Sequence, residues 1–334
     1  MTFRLAEWLG DFEGGRRQLM HLTVVQLVLQ AVTQLKLFDH MVVPMKAEVL
    51  AAKMGVQQDG LFRLLAFLAA EGVVEWDGSG PVSPTRQSAL LQELSSTIGN
   101  YRLSMEAGLA LDDALTDGGV AFEKRFGRPV FEYLRQDAEA GAIFADVMRV
   151  TTREVEAFLF SQYEFPSFTC AVDIGGNKGS LLVRLLEERP EASGILFDLP
   201  PTAAAAQDSL AASPVSERIE CVGGSFFETI PPGRDLYLLK QILHDWSDEE
   251  ALQILANTRR AMKAGTPLLV IERLMPESPQ PCEAMDVDML MMIWTSGRER
   301  SIAAYQQLLE ESGFAVRSVV GETGGQGVIE AEAA

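Results

Sequence analysis

His244 is one of only three histidines in the chain, with His21 and His40. It lies in Lys240–Asp248, Lys-Gln-Ile-Leu-His-Asp-Trp-Ser-Asp, directly after the apolar run Leu236–Lys240. That run reads as a buried strand. An imidazole with a pKa of about 6.5 can take a proton at neutral pH. A phenol, with a pKa of about 10, is a poor nucleophile until it loses one. A lone histidine more often caps the next helix, but Ser247 or Asp248 already suits that task here. A base also needs a group to orient it. Glu272, at the end of Leu268–Ile271, and Glu299, in Gly-Arg-Glu-Arg (Gly297–Arg300), are the two candidates. Either one alone would read as a solvated surface carboxylate. Between them lies Asp286–Trp294, rich in methionine. Thioethers make an adaptable wall for a flat aromatic ligand, while Leu290 and Ile293 read as core.

These groups need a frame that brings them to one edge. The stretch Ala171–Gly179, Ala-Val-Asp-Ile-Gly-Gly-Asn-Lys-Gly, supplies its centre. It starts as a buried parallel strand, ends in a glycine turn, and leads into Ser180–Glu188 with leucines at helical spacing. Strand, glycine turn and helix open a doubly wound nucleotide-binding fold. A second strand, Ser193–Asp198, ends in an acid about 20 residues past the turn, where a carboxylate can hold a ribose diol. A dinucleotide fingerprint would need a glycine where Ser180 stands, and no Gly-Lys-Ser or Gly-Lys-Thr cradles a phosphate in this loop. The loop therefore suits an adenosyl group without a pyrophosphate. With an electrophilic methyl held in line beside the base, the outcome would be O-methyl transfer. Gly223-Gly224-Ser225-Phe226-Phe227 offers close backbone approach and an aromatic to flank an adenine.

Further candidate strands are Ile219–Val222, Leu268–Ile271 and Ala315–Val320, with helical runs between most of them. Such alternation predicts a parallel sheet with right-handed crossovers. Ahead of it, Leu19–Leu37 predicts a helix apolar on more than one side, as at a subunit interface. Met45–Gly55 predicts a helix closed by Gly55, and Asp59–Glu71 a second helix. A hairpin from Val73–Trp76 to Pro84 completes a winged-helix pattern. Leu90–Gln162 reads as helical, punctuated at Gly118-Gly119 and Gly127. The expected boundary falls at Pro166, giving domains 1–165 and 166–334.

The chain has 334 residues, 47% of them hydrophobic, enough for two cores. Its 28 basic and 47 acidic side chains give a formal charge of −19, which repels nucleic-acid phosphates and anionic membranes. Cys170, Cys221 and Cys282 are too scattered for a disulfide framework or a metal cluster, so no metal is expected. No run is long enough to span a membrane and no signal peptide opens the chain. A soluble, cytoplasmic protein is the expectation.

Taken in order, Val172–Gly179, Leu196–Pro200, Val222–Phe227, Leu239–Asp248, Val270–Arg273 and Gly297–Arg300 resemble the motifs of S-adenosylmethionine-dependent class I O-methyltransferases of the plant caffeate and hydroxyindole type. The resemblance spans nearly the whole chain, and Leu-His-Asp-Trp-Ser-Asp is its most specific part. It implies an α/β fold: a doubly wound, Rossmann-like, mostly parallel sheet with an N-terminal all-helical winged-helix dimerisation domain. It implies S-adenosylmethionine as cofactor, a small aromatic acceptor and a homodimer. Gly175 would lie against the methionyl part, Asp198 would bind the ribose, Phe226 would contact the adenine and Lys240 would help hold the cofactor. Asp173, Gly176, Leu199 and Ser225 complete that set. His244 would be the base, flanked by Glu272 and Glu299. Met148, Asp245, Asp288, Met289 and Met292 would line the acceptor pocket. Two positions depart from the family. Asn177-Lys178 replaces the usual Gly-Thr, where Asn tolerates left-handed angles, and Ser225 replaces an acid. A family member that binds the cofactor without methylating is the second reading. A ligand-responsive DNA-binding protein is the third, although the candidate recognition helix Asp59–Glu71 carries only Arg63 as a base-reading or phosphate-binding cation.

Overall fold

The computed structural model describes residues 9–334. The chain forms two compact units: 9–106 with 131–148, and 107–130 with 149–334. The first unit contains the helix Phe12–Gln34, capped by Asp11, whose Oδ1 accepts from the Gly14 N–H. Leu19, Met20, Leu22, Val24 and Leu27 on this helix are exposed. Strands β1 (Met45–Lys46), β2 (Val74–Glu75) and β3 (Pro81–Pro84) make a small sheet in the order β1-β3-β2. This wing makes the unit mainly rather than wholly helical. It also takes the first two residues of the run expected to be helical from Met45: Met45 and Lys46 pair with Val82 and Pro81, and the helix is Ala47–Met54. Gly55 closes that helix with φ 67°, a left-handed angle that favours glycine. The helix Gln58–Ala70 packs Leu61, Leu65 and Leu68 into a core with Leu37, Leu50 and Val82. Each such leucine contributes about 1.5–3 kcal/mol by leaving water.

The second unit is built on a central sheet. Its strands are β4 (Cys170–Ile174), β5 (Ser193–Asp198), β6 (Ile219–Gly223), β7 (Leu236–Lys240), β8 (Pro267–Met275), β9 (Arg300–Ser301), β10 (Phe314–Gly321) and β11 (Gln326–Ala333). The order is β10-β11-β8-β7-β4-β5-β6, with β9 beside the end of β8. The run from β8 to β6 is parallel. Both faces of β4 are covered. Val172 and Ile174 share one core cluster with Ile254, Leu255 and Tyr305, while Ala171 shares the other with Leu181, Leu182 and Leu159. Alternation along the strand delivers successive side chains to the two layers. The chain winds from β4 toward β5 and β6, then returns past β4 to β7 and β8. The carboxyl ends of β4 and β7 thus flank the switch point, where ligands bind in open sheets.

β11 was not expected from the sequence. It returns from β10 as an antiparallel hairpin partner and inserts between β10 and β8. Its alanines and glutamates are weak strand formers, so propensity did not mark it. Pairing on both sides fixes it. The sheet is therefore mixed, with β11 antiparallel to both of its neighbours.

Candidate active site

The glycine turn after β4 runs in left-handed backbone: Gly175 at φ 70°, Asn177 at 51° and Gly179 at 75°. Asn177 takes the left-handed angle expected of it. A Cβ on Gly176 would lie 2.8 Å from Asp173 Oδ2, and one on Gly179 would lie 2.7 Å from Leu196. A Cβ on Gly175 would collide with Ile242. The turn is thus pressed against the segment that follows β7. Asp198 closes it from the other side: Oδ2 accepts from the Asn177 N–H at 2.9 Å and Oδ1 from the Leu199 N–H at 2.7 Å. Burial raises the Asp198 pKa, and the N–H groups of Asn177 and Leu199 oppose that rise. Lone pairs remain on this carboxylate for a diol.

Buried Asp173 and half-buried Lys240 and Glu156 form a charged group beneath the turn. Asp173 Oδ2 and Glu156 Oε1 have no hydrogen-bond partner among the described residues. Lys240 Nζ donates to Thr152 Oγ1 at 3.3 Å, and its pKa is lowered by burial against the pull of Asp173, Glu272 and Glu156. Burial pushes Asp173 up to about 6, with Lys240 opposing. Unsatisfied buried acceptors beside a glycine turn suit an ammonium or hydroxyl donor from a ligand. The residues fit an adenosyl-methionyl cofactor on that ground. A carboxyl raised in the folded state keeps its proton there while the unfolded chain has lost it. Stability is therefore expected to fall as pH rises from about 4 to about 6. Urea unfolding of Asp173→Asn across that range should show a shallower decline than the parent chain; identical slopes would discount Asp173 as its source.

Gly223 and Gly224 were expected to let a ligand approach the backbone. The structure gives them a different task. A Cβ on Gly223 would lie 2.9 Å from Pro200 Cα, and one on Gly224 would lie 2.6 Å from the Phe197 ring. They permit the chain's own packing. Ser225 caps the turn they lead into: its Oγ accepts from the Phe227 N–H at 3.2 Å. Phe226 stacks edge-on with Trp246, ring centres 5.8 Å apart, and its carbonyl accepts from Asn257 Nδ2 at 2.7 Å.

His244 sits in a single 3-10 turn, Leu243–Asp245. Gln241 turns the chain off β7 at φ 52°, an angle uncommon outside glycine. Glu272, on β8, then fixes the next two residues: its Oε1 accepts from the N–H groups of Ile242 at 3.0 Å and Leu243 at 2.9 Å. Glu299 Oε1 stands 2.8 Å from His244 Nδ1. Glu272 Oε2 is 4.0 Å from the same nitrogen. Asp245 Oδ1 is 3.7 Å from Nε2, on the other side of the ring. His244, Glu272 and Glu299 are all buried. A carboxylate accepting from Nδ1–H leaves the lone pair on Nε2, the tautomer a base requires. The two glutamates therefore differ in role. Glu299 orients the ring, and Glu272 holds the backbone that carries it. The helix that follows is capped by Ser247 in a capping box with Glu250, so His244 has no capping duty.

Burial would lower the His244 pKa, but Glu272, Asp245 and Glu299 outweigh it and raise it to about 10. Burial raises Glu272 to about 7, with His244 opposing.

Arg300 was missed by sequence reasoning. Its guanidinium donates to the Leu243 carbonyl at 2.7 Å, the Trp246 carbonyl at 2.8 Å and Asp248 Oδ1 at 2.9 Å. It grips both flanks of the His244 turn while itself only 3% exposed. The single hint was its place next to Glu299. Arg300→Ala is expected to cost about 3 kcal/mol, because buried carbonyls lose their donor. Arg300→Lys should recover only part, since an ammonium cannot span the fork. Denaturant midpoints and kcat, measured well below melting, check this; an unchanged midpoint in Arg300→Ala would refute the latch.

Among the acceptor candidates, Asp288 is engaged inward: its Oδ1 accepts from the Glu299 N–H at 2.9 Å. It positions Glu299. Met289 is exposed and Met292 half-buried on the helix Glu283–Trp294. Met148 belongs to the first unit.

Two family models match. Residues 17–93 match the O-methyltransferase dimerisation domain and residues 109–315 the O-methyltransferase domain. Phenazine O-methyltransferase PhzM of Lysobacter antibioticus is 36% identical over 296 residues, 86% of each chain. The mitomycin 7-O-methyltransferase MmcR superposes with a TM-score of 0.89 at 28% identity, over 96% of this chain and 98% of that one. The O-methyltransferase NcsB1 from neocarzinostatin biosynthesis, solved with S-adenosyl-L-homocysteine and 1,4-dihydroxy-2-naphthoic acid, superposes with a TM-score of 0.80 at 27% identity, over 93% of this chain and 96% of that one.

Proposed function

The chain belongs to the class I S-adenosylmethionine-dependent O-methyltransferase family, and we propose that it methylates a phenolic hydroxyl of a small aromatic acceptor with His244 as general base. The observation that carries this reading is the 2.8 Å contact between His244 Nδ1 and buried Glu299, which leaves Nε2 to take a proton. S-adenosylmethionine, when bound, supplies an electrophilic methyl on a sulfonium. Gly175, Gly176 and Asp173 would hold its methionyl end with Lys240; Asp198, Leu199, Ser225 and Phe226 would hold its nucleoside.

The chain's own residues do the rest. Nε2 accepts the hydroxyl proton, and the phenolate formed is the competent nucleophile. Glu299 stabilises the resulting imidazolium through Nδ1–H. Glu272 and Arg300 keep the turn from drifting, which matters because a misplacement of about 1 Å can cost about 10²-fold. Asp245, beside Nε2, and the thioethers of Met289 and Met292 would contact the aromatic acceptor. The phenazine named for PhzM and the 1,4-dihydroxy-2-naphthoic acid named for NcsB1 support an aromatic acceptor.

In this reading residues 1–165 serve dimerisation and substrate capping, and 166–334 carry cofactor and chemistry. The exposed apolar side chains of Phe12–Gln34 support a homodimer. Among the described residues no helix is long and apolar enough to cross a membrane. The deciding experiment incubates the protein with S-adenosylmethionine and a panel of phenols, then weighs the products. A gain of one methyl, lost when the hydroxyl is replaced by hydrogen, is expected. Cofactor binding with no methylated product from any phenol would instead favour a non-methylating family member.

A further inference from the structure

The sequence spacing holds no metal-ligand motif, yet the fold brings an imidazole and two carboxylates together from three separate segments. One ligand atom each from His244, Glu272 and Glu299 lies within 4.8 Å of the others. Nδ1 of His244 is 2.8 Å from Glu299 Oε1 and 4.0 Å from Glu272 Oε2. All three side chains are buried. Two of their oxygens, Glu272 Oε2 and Glu299 Oε2, have no hydrogen-bond partner among the described residues. Glu272 Oε2 is also the atom of that side chain nearest the imidazole. Buried carboxylate oxygens without donors call for a cation or a proton.

We propose that His244, Glu272 and Glu299 form an inhibitory zinc site in the cofactor-free protein. One nitrogen and two oxygens with a fourth position left open is a zinc-type donor set. Ligand atoms at about 2.0–2.2 Å from zinc stand roughly 3.5 Å apart in a tetrahedron. The observed 2.8 and 4.0 Å separations bracket that value, so small side-chain rotations close the site. Magnesium and calcium suit it poorly, because they prefer six or more oxygens.

The inhibition follows from the ring. Zinc takes the lone pair of Nδ1, so the proton of a neutral imidazole must sit on Nε2. Asp245 Oδ1, 3.7 Å from Nε2, is beyond hydrogen-bond range, but its negative charge favours a hydrogen on that nitrogen. An Nε2 that carries a hydrogen has no lone pair for a hydroxyl proton. The ion therefore disables a base without needing to touch acceptor or cofactor.

Calorimetry tests this on the full chain, freed of metal with a chelator and titrated with zinc chloride. One zinc per chain is expected, with binding weakened at least about tenfold in Glu272→Gln and again in Glu299→Gln. Both variants are first shown to melt cooperatively and to bind S-adenosyl-L-homocysteine, so a lost site is not a lost fold. Anomalous scattering at the zinc edge should place the ion beside Nδ1. Zinc that binds the parent and both glutamine variants equally, or that scatters from a cysteine or from His21 or His40, overturns the site; so does one-site magnesium binding of equal strength. Failure of the methyl-transfer reading is separable. If His244→Ala still methylates while the parent holds zinc at this cluster, the base assignment falls and the zinc site stands.

Discussion

His244→Ala is expected to lower kcat by about 10²–10⁴-fold while S-adenosylmethionine binding survives. The groups proposed to hold the cofactor lie elsewhere, on the β4 turn, at Asp198 and around Phe226. Removing the ring should therefore spare affinity and remove proton acceptance. Calorimetric binding together with single-turnover methylation measures the two separately. Unchanged turnover would end the general-base mechanism. The pH profile gives the same assignment a second signature. Three carboxylates raise His244 to about 10 against the effect of burial. A base works only when neutral, so kcat/KM should keep climbing through pH 7 and 8 instead of levelling near the ordinary imidazole value. Glu299→Gln removes one of the negative neighbours, so the climbing limb should move to lower pH while the plateau falls, because the ring loses its orienting acceptor. The stability sign is opposite to the activity sign. A raised histidine contributes stability that is full below about 6.5 and is lost as pH rises toward about 10. The conditions that free the base are those in which its contribution to the fold fades.

What the sequence reveals of this site depends on how each residue acts. His244 and Asp198 stand where the sequence placed them, His244 in the turn after β7 and Asp198 at the last position of β5, one a rare side chain and the other at a telling spacing. Glu272 and Glu299 were legible as a pair but not as individuals. Which of them meets Nδ1 is decided by the path of 297–300, which closes over a turn 55 residues earlier. Arg300 was illegible for a related reason. Gly-Arg-Glu-Arg looks like a solvated polar run, and arginine is rarely buried unless paired. Its partners are mostly backbone carbonyls, which no side-chain pattern records. Asp288, expected to line the acceptor pocket, also accepts from the Glu299 N–H, a contact between a helix and a loop that spacing does not encode. Gly223 and Gly224 carried the right signal, close approach, with the wrong neighbour. β11 shows the same limit in the fold, since its place is set by two flanking strands and not by its own residues.

Gly297→Ala is expected to be nearly as damaging as loss of the base, although glycine has no side chain to take part in the chemistry. Its φ is not left-handed, so the requirement for glycine is one of space and not of backbone angle. A Cβ built there would collide with the His244 carbonyl oxygen and the Asp245 carbonyl carbon, and would lie 2.6 Å from the Trp246 nitrogen. All three are backbone atoms, so no flexible side chain can swing aside. Glu272 fixes the turn from one side, through the N–H groups of Ile242 and Leu243. Arg300 holds it on the other flank through the carbonyls of Leu243 and Trp246. The methyl must therefore push 297–300 outward, and Glu299 travels with that segment. A shift of about 1 Å stretches the contact to Nδ1 beyond hydrogen-bond range and costs about 10²-fold in kcat. Overpacking adds about 1–3 kcal/mol of destabilisation. Because the displaced group is the orienting acceptor, the variant should also move the rising pH limb downward, as Glu299→Gln does, while S-adenosylmethionine affinity stays near that of the parent chain. A Gly297→Ala enzyme with parental kcat and an unshifted pH limb would show that the approach of these two segments does not set the geometry of the base.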